Sequence, residues 1–176
     1  MRVIAGELGG RRLAAPRGRD TRPTSDRVRE ALFSVLGSVE GLRVLDLFAG
    51  SGALAIEALS RGASAATLVD RAQAAVAAIE RNLGGLGLQA EVRRQSAAAF
   101  LRSASDDARQ YDLVFLDPPY RLASELAGEL SAALPGVLAP EARVIAESDR
   151  RAPLSLELPL LNERRYGDTL IRIYGP

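Results

Sequence analysis

Apolar runs of strand length alternate with stretches of helical apolar spacing from residue 42 onward. The runs predict strands at 43–48, 66–70, 91–94, 111–116 and 143–147. The stretches between them predict helices at 53–60, 72–83, 97–103 and 122–134. Repeated strand–helix units with short connections are typical of an α/β protein with a mostly parallel, doubly wound sheet.

The pattern changes at both ends of the chain. At the C-terminal end, apolar runs at 154–158 and 169–174 have no helix between them, which predicts an antiparallel hairpin at the sheet edge. At the N-terminal end, residues 2–16 predict a hairpin with its turn at 7–10, followed by a polar linker at 17–23. We therefore expect a hairpin and linker at 1–22 before a domain at 23–176.

A helix is predicted directly after the linker. Thr24 or Ser25 is the expected N-cap, and Gly37 is the expected end. Apolar residues at helical spacing mark its buried face and are Val28, Leu32, Val35 and Leu36. Arg27 and Arg29 fall off that face, so both are expected on the surface.

Composition narrows the chemistry. The chain has 176 residues and contains neither cysteine nor histidine. A disulfide, a Cys/His zinc site, a thiolate nucleophile and an imidazole base are therefore excluded. No apolar stretch has the length of a signal peptide or membrane span, so the expected location is the cytoplasm, with no membrane partner.

The charge is concentrated at the N-terminal end. Residues 1–30 contain eight arginines against four acidic residues, whereas the whole chain has a net charge of only +1. A basic segment on a mildly acidic body indicates a nucleic-acid contact, with a solvated surface as the alternative. The predicted RNA-binding residues are Arg2, Arg11, Arg12, Arg22, Arg27 and Arg29.

A glycine turn follows the first predicted strand. Gly50 and Gly52 lie in the segment DLFAGSG at 46–52, and Asp70 ends the next strand. Glycines let a cofactor approach the backbone, and an acid at the following strand end can bind ribose hydroxyls. This spacing fits NAD as well as S-adenosylmethionine (SAM). Asp46, which is separated from the first glycine by three residues, favours SAM.

The segment Asp117-Pro118-Pro119-Tyr120 ends another buried strand. An exocyclic amine on a purine is a weak nucleophile because its lone pair is delocalised into the ring. A carboxylate and a backbone carbonyl that accept its N–H hydrogens would localise that lone pair. Prolines make the loop rigid and leave it rich in acceptors, and the tyrosine offers a face on which a base can stack. The segment therefore predicts methyl transfer to a planar amine.

Five segments together resemble the RsmD family of bacterial 16S rRNA (guanine-N2) methyltransferases, which act on guanine 966. They are RVIAGELGGRRL at 2–13, RPTSDRVREALF at 22–33, DLFAGSGAL at 46–54, EALSRG at 57–62 and DPPY at 117–120. The resemblance covers essentially the whole chain, and the second segment is its most specific part. It implies a Rossmann-like class I SAM-dependent methyltransferase fold, with a seven-stranded sheet and an N-terminal β-hairpin extension.

The resemblance also implies roles for particular residues. It places Asp117, Pro118 and Tyr120 at the target base as catalytic residues. The cofactor-binding residues that it implies are Asp46, Phe48, Ala49, Gly50, Gly52, Asp70, Arg71, Ser96 and Ala97. Members commonly carry Asn or Asp where this chain has Ser96, so the chain departs from the family pattern at this position.

The expected activity is transfer of a methyl group from SAM to the N2 amine of guanine in 16S rRNA, with S-adenosylhomocysteine as the product. The expected partner is this rRNA or the assembled small subunit. We expect no bound metal, and we expect the protein to be a monomer. A DNA adenine-N6 methyltransferase would use the same Asp-Pro-Pro-Tyr segment, but the chain leaves little room for a DNA-recognition region. A non-catalytic RNA-binding module would leave that segment unexplained, and an NAD oxidoreductase would lack an evident acid or base.

Overall fold

The computed structural model describes residues 1–16, 25–119 and 122–176. Its centre is a seven-stranded sheet of order β3-β2-β1-β4-β5-β7-β6. The strands are β1 (Arg43–Leu47), β2 (Ala65–Asp70), β3 (Glu91–Arg94), β4 (Tyr111–Leu116), β5 (Leu138–Asp149), β6 (Leu160–Tyr166) and β7 (Thr169–Tyr174). Strands β1 to β5 are parallel, and β7 pairs antiparallel with β5 and β6. The predicted mostly parallel sheet with an antiparallel C-terminal hairpin is confirmed.

Helices cover both faces of the sheet. They are α1 (Asp26–Leu36), α2 (Ala53–Ser60), α3 (Gln73–Leu86), α4 (Ala97–Asp106) and α5 (Ala123–Ala133). Alternate strand residues point to opposite faces. Leu113 and Phe115 of β4 accordingly join the core beneath α1, α2 and α3, whereas Val114 and Leu116 join the core beneath α4 and α5. No helix among the described residues is long and apolar enough to cross a membrane.

Helix α1 begins and ends as the sequence predicts. The hydroxyl of Ser25 accepts a hydrogen bond from the backbone N–H of Val28, so Ser25 is the N-cap. Gly37 ends the helix with a φ of 71°, a backbone conformation that favours glycine. Thr24, the other candidate for the cap, and the predicted linker at 17–23 lie outside the described residues.

The predicted strand at 154–158 is wrong, because β6 lies at Leu160–Tyr166. Leu154 and Leu156 are buried without forming a strand, and the Tyr174 hydroxyl bonds the backbone of both residues. Strand β6 carries polar residues on both faces, and its Leu160 and Leu161 are exposed. An edge strand of this kind is held by its backbone ladder and shows no buried alternation that a sequence pattern could reveal.

The N-terminal hairpin is shorter than predicted and is packed against the body. Its ladder contains one isolated bridge, between Arg2 and Arg12. Val3 and Leu13 are buried in the core beneath α1, α2 and α3. The buried Glu57 of α2 accepts hydrogen bonds from the backbone N–H groups of Ile4 (2.6 Å) and Ala5 (3.0 Å). These contacts fix the hairpin to the surface of the sheet domain.

Candidate active site

One large cavity lies at the carboxyl ends of the parallel strands. Its volume is about 860 Å³, which is in the range of small-molecule and cofactor sites. Residues following β1, β2, β3 and β4 form its floor, α5 forms a side wall, and the N-terminal segment closes one end. In doubly wound sheets, ligands bind in the crevice outside these strand ends.

The glycine turn after β1 forms part of the cavity wall. Phe48 has a φ of 66°, a strained conformation for a residue with a side chain, and both Phe48 and Gly50 line the cavity. Gly52 does not line it. A Cβ on Gly52 would lie 2.8 Å from Leu68 Cδ2, so this glycine permits packing of the turn against the core. Of the two glycines predicted to allow cofactor approach, the structure places only Gly50 at the cavity.

Asp70 holds the glycine turn in place. One carboxylate oxygen accepts a hydrogen bond from the Gly50 backbone N–H (3.0 Å), and the other accepts one from Ala72 (2.8 Å). The residue is 4% exposed and lines the cavity at the end of β2. Each carboxylate oxygen has two lone pairs, so Asp70 can shape the turn and also accept hydrogen bonds from a ligand.

Asp46 brings a second carboxylate to the cavity from β1. It is 2% exposed, and its Oδ2 accepts a hydrogen bond from the Ala55 backbone N–H at 3.2 Å. Burial, together with the negative charge of Asp70, raises the pKa of Asp46 from 3.8 to about 7. A cation bound in the cavity would favour the ionised form of this group.

Asp117 supplies a third carboxyl group, at the end of β4. Loss of hydration raises its pKa well above the usual value, and the charges of Glu147 and Asp46 raise it further. Asp117 and the buried Pro118 both line the cavity. Tyr120, the third predicted catalytic residue, lies outside the described residues.

The far end of the cavity is formed after β2 and β3. Arg71, Ser96 and Ala97, which the sequence predicts as cofactor-binding residues, line this end, and Ala49 lines the cavity after β1. The Ser96 hydroxyl accepts a hydrogen bond from the Ala99 backbone N–H (3.2 Å), so it caps α4 and also faces the cavity. Sequence reasoning missed the α5 wall. Its cavity-lining residues are Leu122, Leu126, Glu129 and Leu130, which the sequence pattern assigns simply to an amphipathic helix.

The predicted RNA-binding arginines do not share one environment. Arg2, Arg11, Arg12 and Arg27 are exposed, and Arg22 lies outside the described residues. The prediction of a surface contact for Arg29 is wrong, because its side chain is fully buried. Its Nη2 donates to the Arg2 carbonyl oxygen (2.6 Å) and to Asp26 (2.7 Å), which draws the guanidinium inward. Arg29 lines the cavity instead.

Two exposed arginines lie in a groove on the outer side of the hairpin. Arg11 and Arg12 share a shallow depression of about 400 Å³ with the exposed Arg81 of α3. Beneath it, the Asn82 side chain exchanges hydrogen bonds with the Ala14 backbone and donates to the Ser51 carbonyl oxygen (2.9 Å). Asn82 thus joins the end of the hairpin to the glycine turn. Sequence reasoning found neither Arg81 nor Asn82, because both lie on a distant helix.

The strand order, the glycine turn and the carboxylates at successive strand ends define a class I SAM-dependent methyltransferase fold. The described residues contain no group of acidic side chains arranged to hold a metal ion.

Comparisons with known proteins identify the family. The chain belongs to the RsmD family, since the family profile described as "Conserved hypothetical protein 95" matches residues 1–175. It is 40% identical over 153 residues to Ribosomal RNA small subunit methyltransferase D of Escherichia coli K12, covering 85% of this chain and 75% of that protein. For the protein of the same name from Haemophilus influenzae, identity is 35% over 182 residues, covering 99% and 93%. The hypothetical protein TTHA0928 of Thermus thermophilus superposes with a TM-score of 0.87 at 31% identity, covering 100% and 99%.

Proposed function

We propose that this protein transfers a methyl group from SAM to the exocyclic N2 amine of a guanine, position 966, in 16S rRNA of the small ribosomal subunit. The observation that carries the proposal is the convergence of Asp46, Asp70 and Asp117 on one cavity from three strand ends. Three carboxyl groups with little exposure to water suit a cationic ligand on their side of the cavity, and the sulfonium and ammonium groups of SAM are cations. The small-subunit rRNA methyltransferases among the relatives support the same reaction class.

The cavity fits SAM in chemistry as well as size. Asp70 would accept hydrogen bonds from the ribose hydroxyls, since it lies at the end of β2 beside Gly50. Ser96 and Ala97 would border the adenine at the end of β3, while Phe48, Ala49 and Asp46 would border the methionine part. The positive charge of the cofactor would lower the raised pKa of Asp46 and favour its carboxylate form.

Asp117 and Pro118 would act on the target amine. When bound, SAM would supply an electrophilic methyl group: the amine nitrogen would bond to the methyl carbon, and the electron pair of the broken S–C bond would stay on sulfur. The Asp117 carboxylate and a backbone carbonyl of the loop would accept the two N–H hydrogens, which localises the nitrogen lone pair. The proton lost by the product passes to solvent after transfer, so no histidine is needed. Because the cavity lies in a cleft, the base would be flipped out of its stack.

The arginines of the hairpin would bind the rRNA backbone. Arg11 and Arg12, together with Arg81, form a basic groove. The groove lies next to Asn82, which joins the end of the hairpin to the glycine turn of the cavity wall. Arginine is well suited to phosphate because its guanidinium presents several donors in a planar fork. RNA held in this groove would continue toward the cavity that the hairpin helps to close.

The product of the reaction tests the proposal. Unmodified small ribosomal subunits, or naked 16S rRNA, are incubated with SAM and the protein, and the nucleosides are separated by mass spectrometry. We expect N2-methylguanosine at a single position. N6-methyladenine, or activity on duplex DNA alone, would instead support the adenine methyltransferase, because an Asp-Pro clamp accommodates either amine. RNA binding without any methylated product would support the non-catalytic module.

A further inference from the structure

Arg29 is a buried cation that the fold satisfies only in part. Its side chain is 0% exposed, and Nη2 carries its two hydrogen bonds, to the Arg2 carbonyl oxygen and to Asp26. Its Nε and Nη1 are buried with no hydrogen-bond partner among the described residues. Asp26 is 39% exposed, so much of its charge is screened by water. Buried hydrogen-bond donors without partners destabilise a protein, so the presence of two such donors on Arg29 needs an explanation.

The packing of α1 against the sheet determines where Arg29 lies along the direction of β4. The Leu36 carbonyl oxygen accepts a hydrogen bond from Arg143, which pairs with Leu113 of β4. One turn earlier, Phe33 packs on Phe115 with ring centroids 5.9 Å apart. The helix therefore runs antiparallel to β4.

A further turn toward the helix N-terminus reaches Arg29. A helical turn rises about 5.4 Å, and two strand residues rise about 6.6 Å, so Arg29 lies at about the level of Asp117. Its presence in the cavity wall agrees with this placement.

Arg29 differs from the other arginines that line the cavity. Arg71 and Arg102 are exposed, and Arg102 is paired with Glu129 of α5 at 3.4 Å. Arg29 instead lies at the end where the hairpin and the β1 and β4 termini meet, and this is the end assigned to the methionine part of the cofactor. That part carries an α-carboxylate, which is the group of SAM that requires a cation.

We infer that Arg29 binds the α-carboxylate of the cofactor through its unpartnered donors. The inference rests on the proposed cofactor. A carboxylate on the flexible methionine chain can enter the cavity, and the Arg29 guanidinium, which has no exposed surface without ligand, would turn toward it. An RNA phosphate outside the cavity would instead need a guanidinium exposed on the outer surface. Arg2 and Asp26 would then position Arg29, and through Arg2 the hairpin would support the cofactor site. The apparent cluster of RNA-binding arginines would thus serve two ligands.

Ligands that differ in one group provide the test. Calorimetry would compare S-adenosylhomocysteine with its decarboxylated form, which lacks only the α-carboxylate, and with methylthioadenosine, which lacks the whole amino-acid part. Hydrogen bonds to charged groups predict that the parent prefers S-adenosylhomocysteine to the decarboxylated form by about 10- to 100-fold. Arg29→Met should lose most of this preference while retaining its affinity for methylthioadenosine.

Two further variants separate binding from folding. Arg29→Lys keeps the charge and should keep part of the preference, and it serves where Arg29→Met does not fold. Arg164→Met, the same substitution at an exposed arginine on the edge strand β6, should keep the parent's preference. An unchanged preference in the folded Arg29 variants would overturn the inference, even if all three affinities fell together. Loss of RNA affinity with that preference intact would assign Arg29 to phosphate, and a parent that binds none of the ligands would refute the proposed cofactor itself.

Discussion

The pKa values of the carboxyl groups shift in opposite directions at the two ends of the parallel strands. At the amino ends, Glu91 is bonded to Arg109, and Asp112 forms two hydrogen bonds of 2.9 Å with Arg43. Hydrogen bonds from these arginines lower the pKa of both acids, that of Glu91 to about 2. At the carboxyl ends, burial raises the pKa of Asp46 and Asp117.

This contrast separates stability from function within one sheet. Arginine partners at the amino ends keep the acids ionised, and the pair of Asp112 and Arg43 joins the neighbouring strands β4 and β1. The Arg109 guanidinium also lies over the rings of Phe100 and Tyr111, with its carbon 5.5 and 5.7 Å from the ring centroids. At the carboxyl ends, Asp46 and Asp117 face a cavity in which a cationic ligand would match their charge. Perturbed acids in a cleft are the usual sign of a functional site.

The largest effect is expected from Asp117→Ala. The proposed contact between Asp117 and the target amine would strengthen as the amine nitrogen becomes tetrahedral, so methyl transfer in a single turnover should fall by roughly 10²- to 10³-fold. Affinity for S-adenosylhomocysteine should change little. Asp112→Ala, four positions before the end of β4 and paired with Arg43, is the matched control and should retain the parent's transfer rate once folded. Equal losses in the two variants would remove the functional distinction between the strand ends.

Asp70→Ala should mainly affect cofactor binding. The change would remove the proposed ribose contacts, and it removes the hydrogen bond that holds Gly50 in the turn. At about 1.5–3 kcal/mol for each hydrogen bond to a charged group, the dissociation constant for S-adenosylhomocysteine should rise by at least tenfold. Calorimetry measures it, with thermal unfolding as a check of the fold. Unchanged affinity in a folded variant would contradict the assignment of Asp70 to the ribose.

Charge reversal on the hairpin tests whether RNA binding is separate from the cavity. Arg11→Glu with Arg12→Glu should weaken rRNA binding and reduce its dependence on salt by about one unit of slope for each phosphate interaction that is removed. SAM affinity should be nearly unchanged. Arg165→Glu on the edge strand β6, where the arginine side chain is 67% exposed, is the matched control. The same salt slope in both proteins would make the hairpin only a solvated surface.

The pH dependence of the free energy of unfolding, measured without ligand, should also differ between the two strand ends. Asp46 has a folded pKa of about 7 against 3.8 for the ordinary group, so the native state holds the extra proton between these values. Its contribution therefore falls as pH rises through this window, by at most about 1.4 kcal/mol per pH unit. Urea unfolding should show Asp46→Asn gaining stability relative to the parent from pH 4 to 7.

Glu91 should show the opposite dependence. Its folded pKa of about 2 lies below the ordinary 4.5, so its stabilising contribution is complete above 4.5 and is lost as pH falls toward 2. Glu91→Gln should therefore be less stable than the parent near neutral pH and approach it in acid. Parallel pH profiles for the Asp46 and Glu91 variants would show that the two strand ends do not differ as described.

Local patterns predicted the parts of the fold whose burial is regular. Strand β4 and helix α2 lie where the sequence places them, because almost every residue of each segment is buried and most are apolar. Strand β3 also lies where predicted, although its residues are half-buried or exposed. Strand β6 escaped prediction because its polar residues follow no burial pattern. The buried alternation at 154–158 was misleading, since the Tyr174 hydroxyl takes the place of a strand partner.

The sequence by itself determined the mostly parallel sheet, the turn at Gly50 and the acidic residues at the strand ends, because each depends on residues that are close together in the chain. Tertiary structure decided how distant segments meet. Arg29 appeared to belong to a surface cluster, but the Arg2 carbonyl and the packing of α1 on β4 turn it toward the cavity. Asn82 and Glu57 likewise join the hairpin to the body across long sequence separations. Burial of a charged side chain depends on partners contributed by other elements, and no local pattern contains that information.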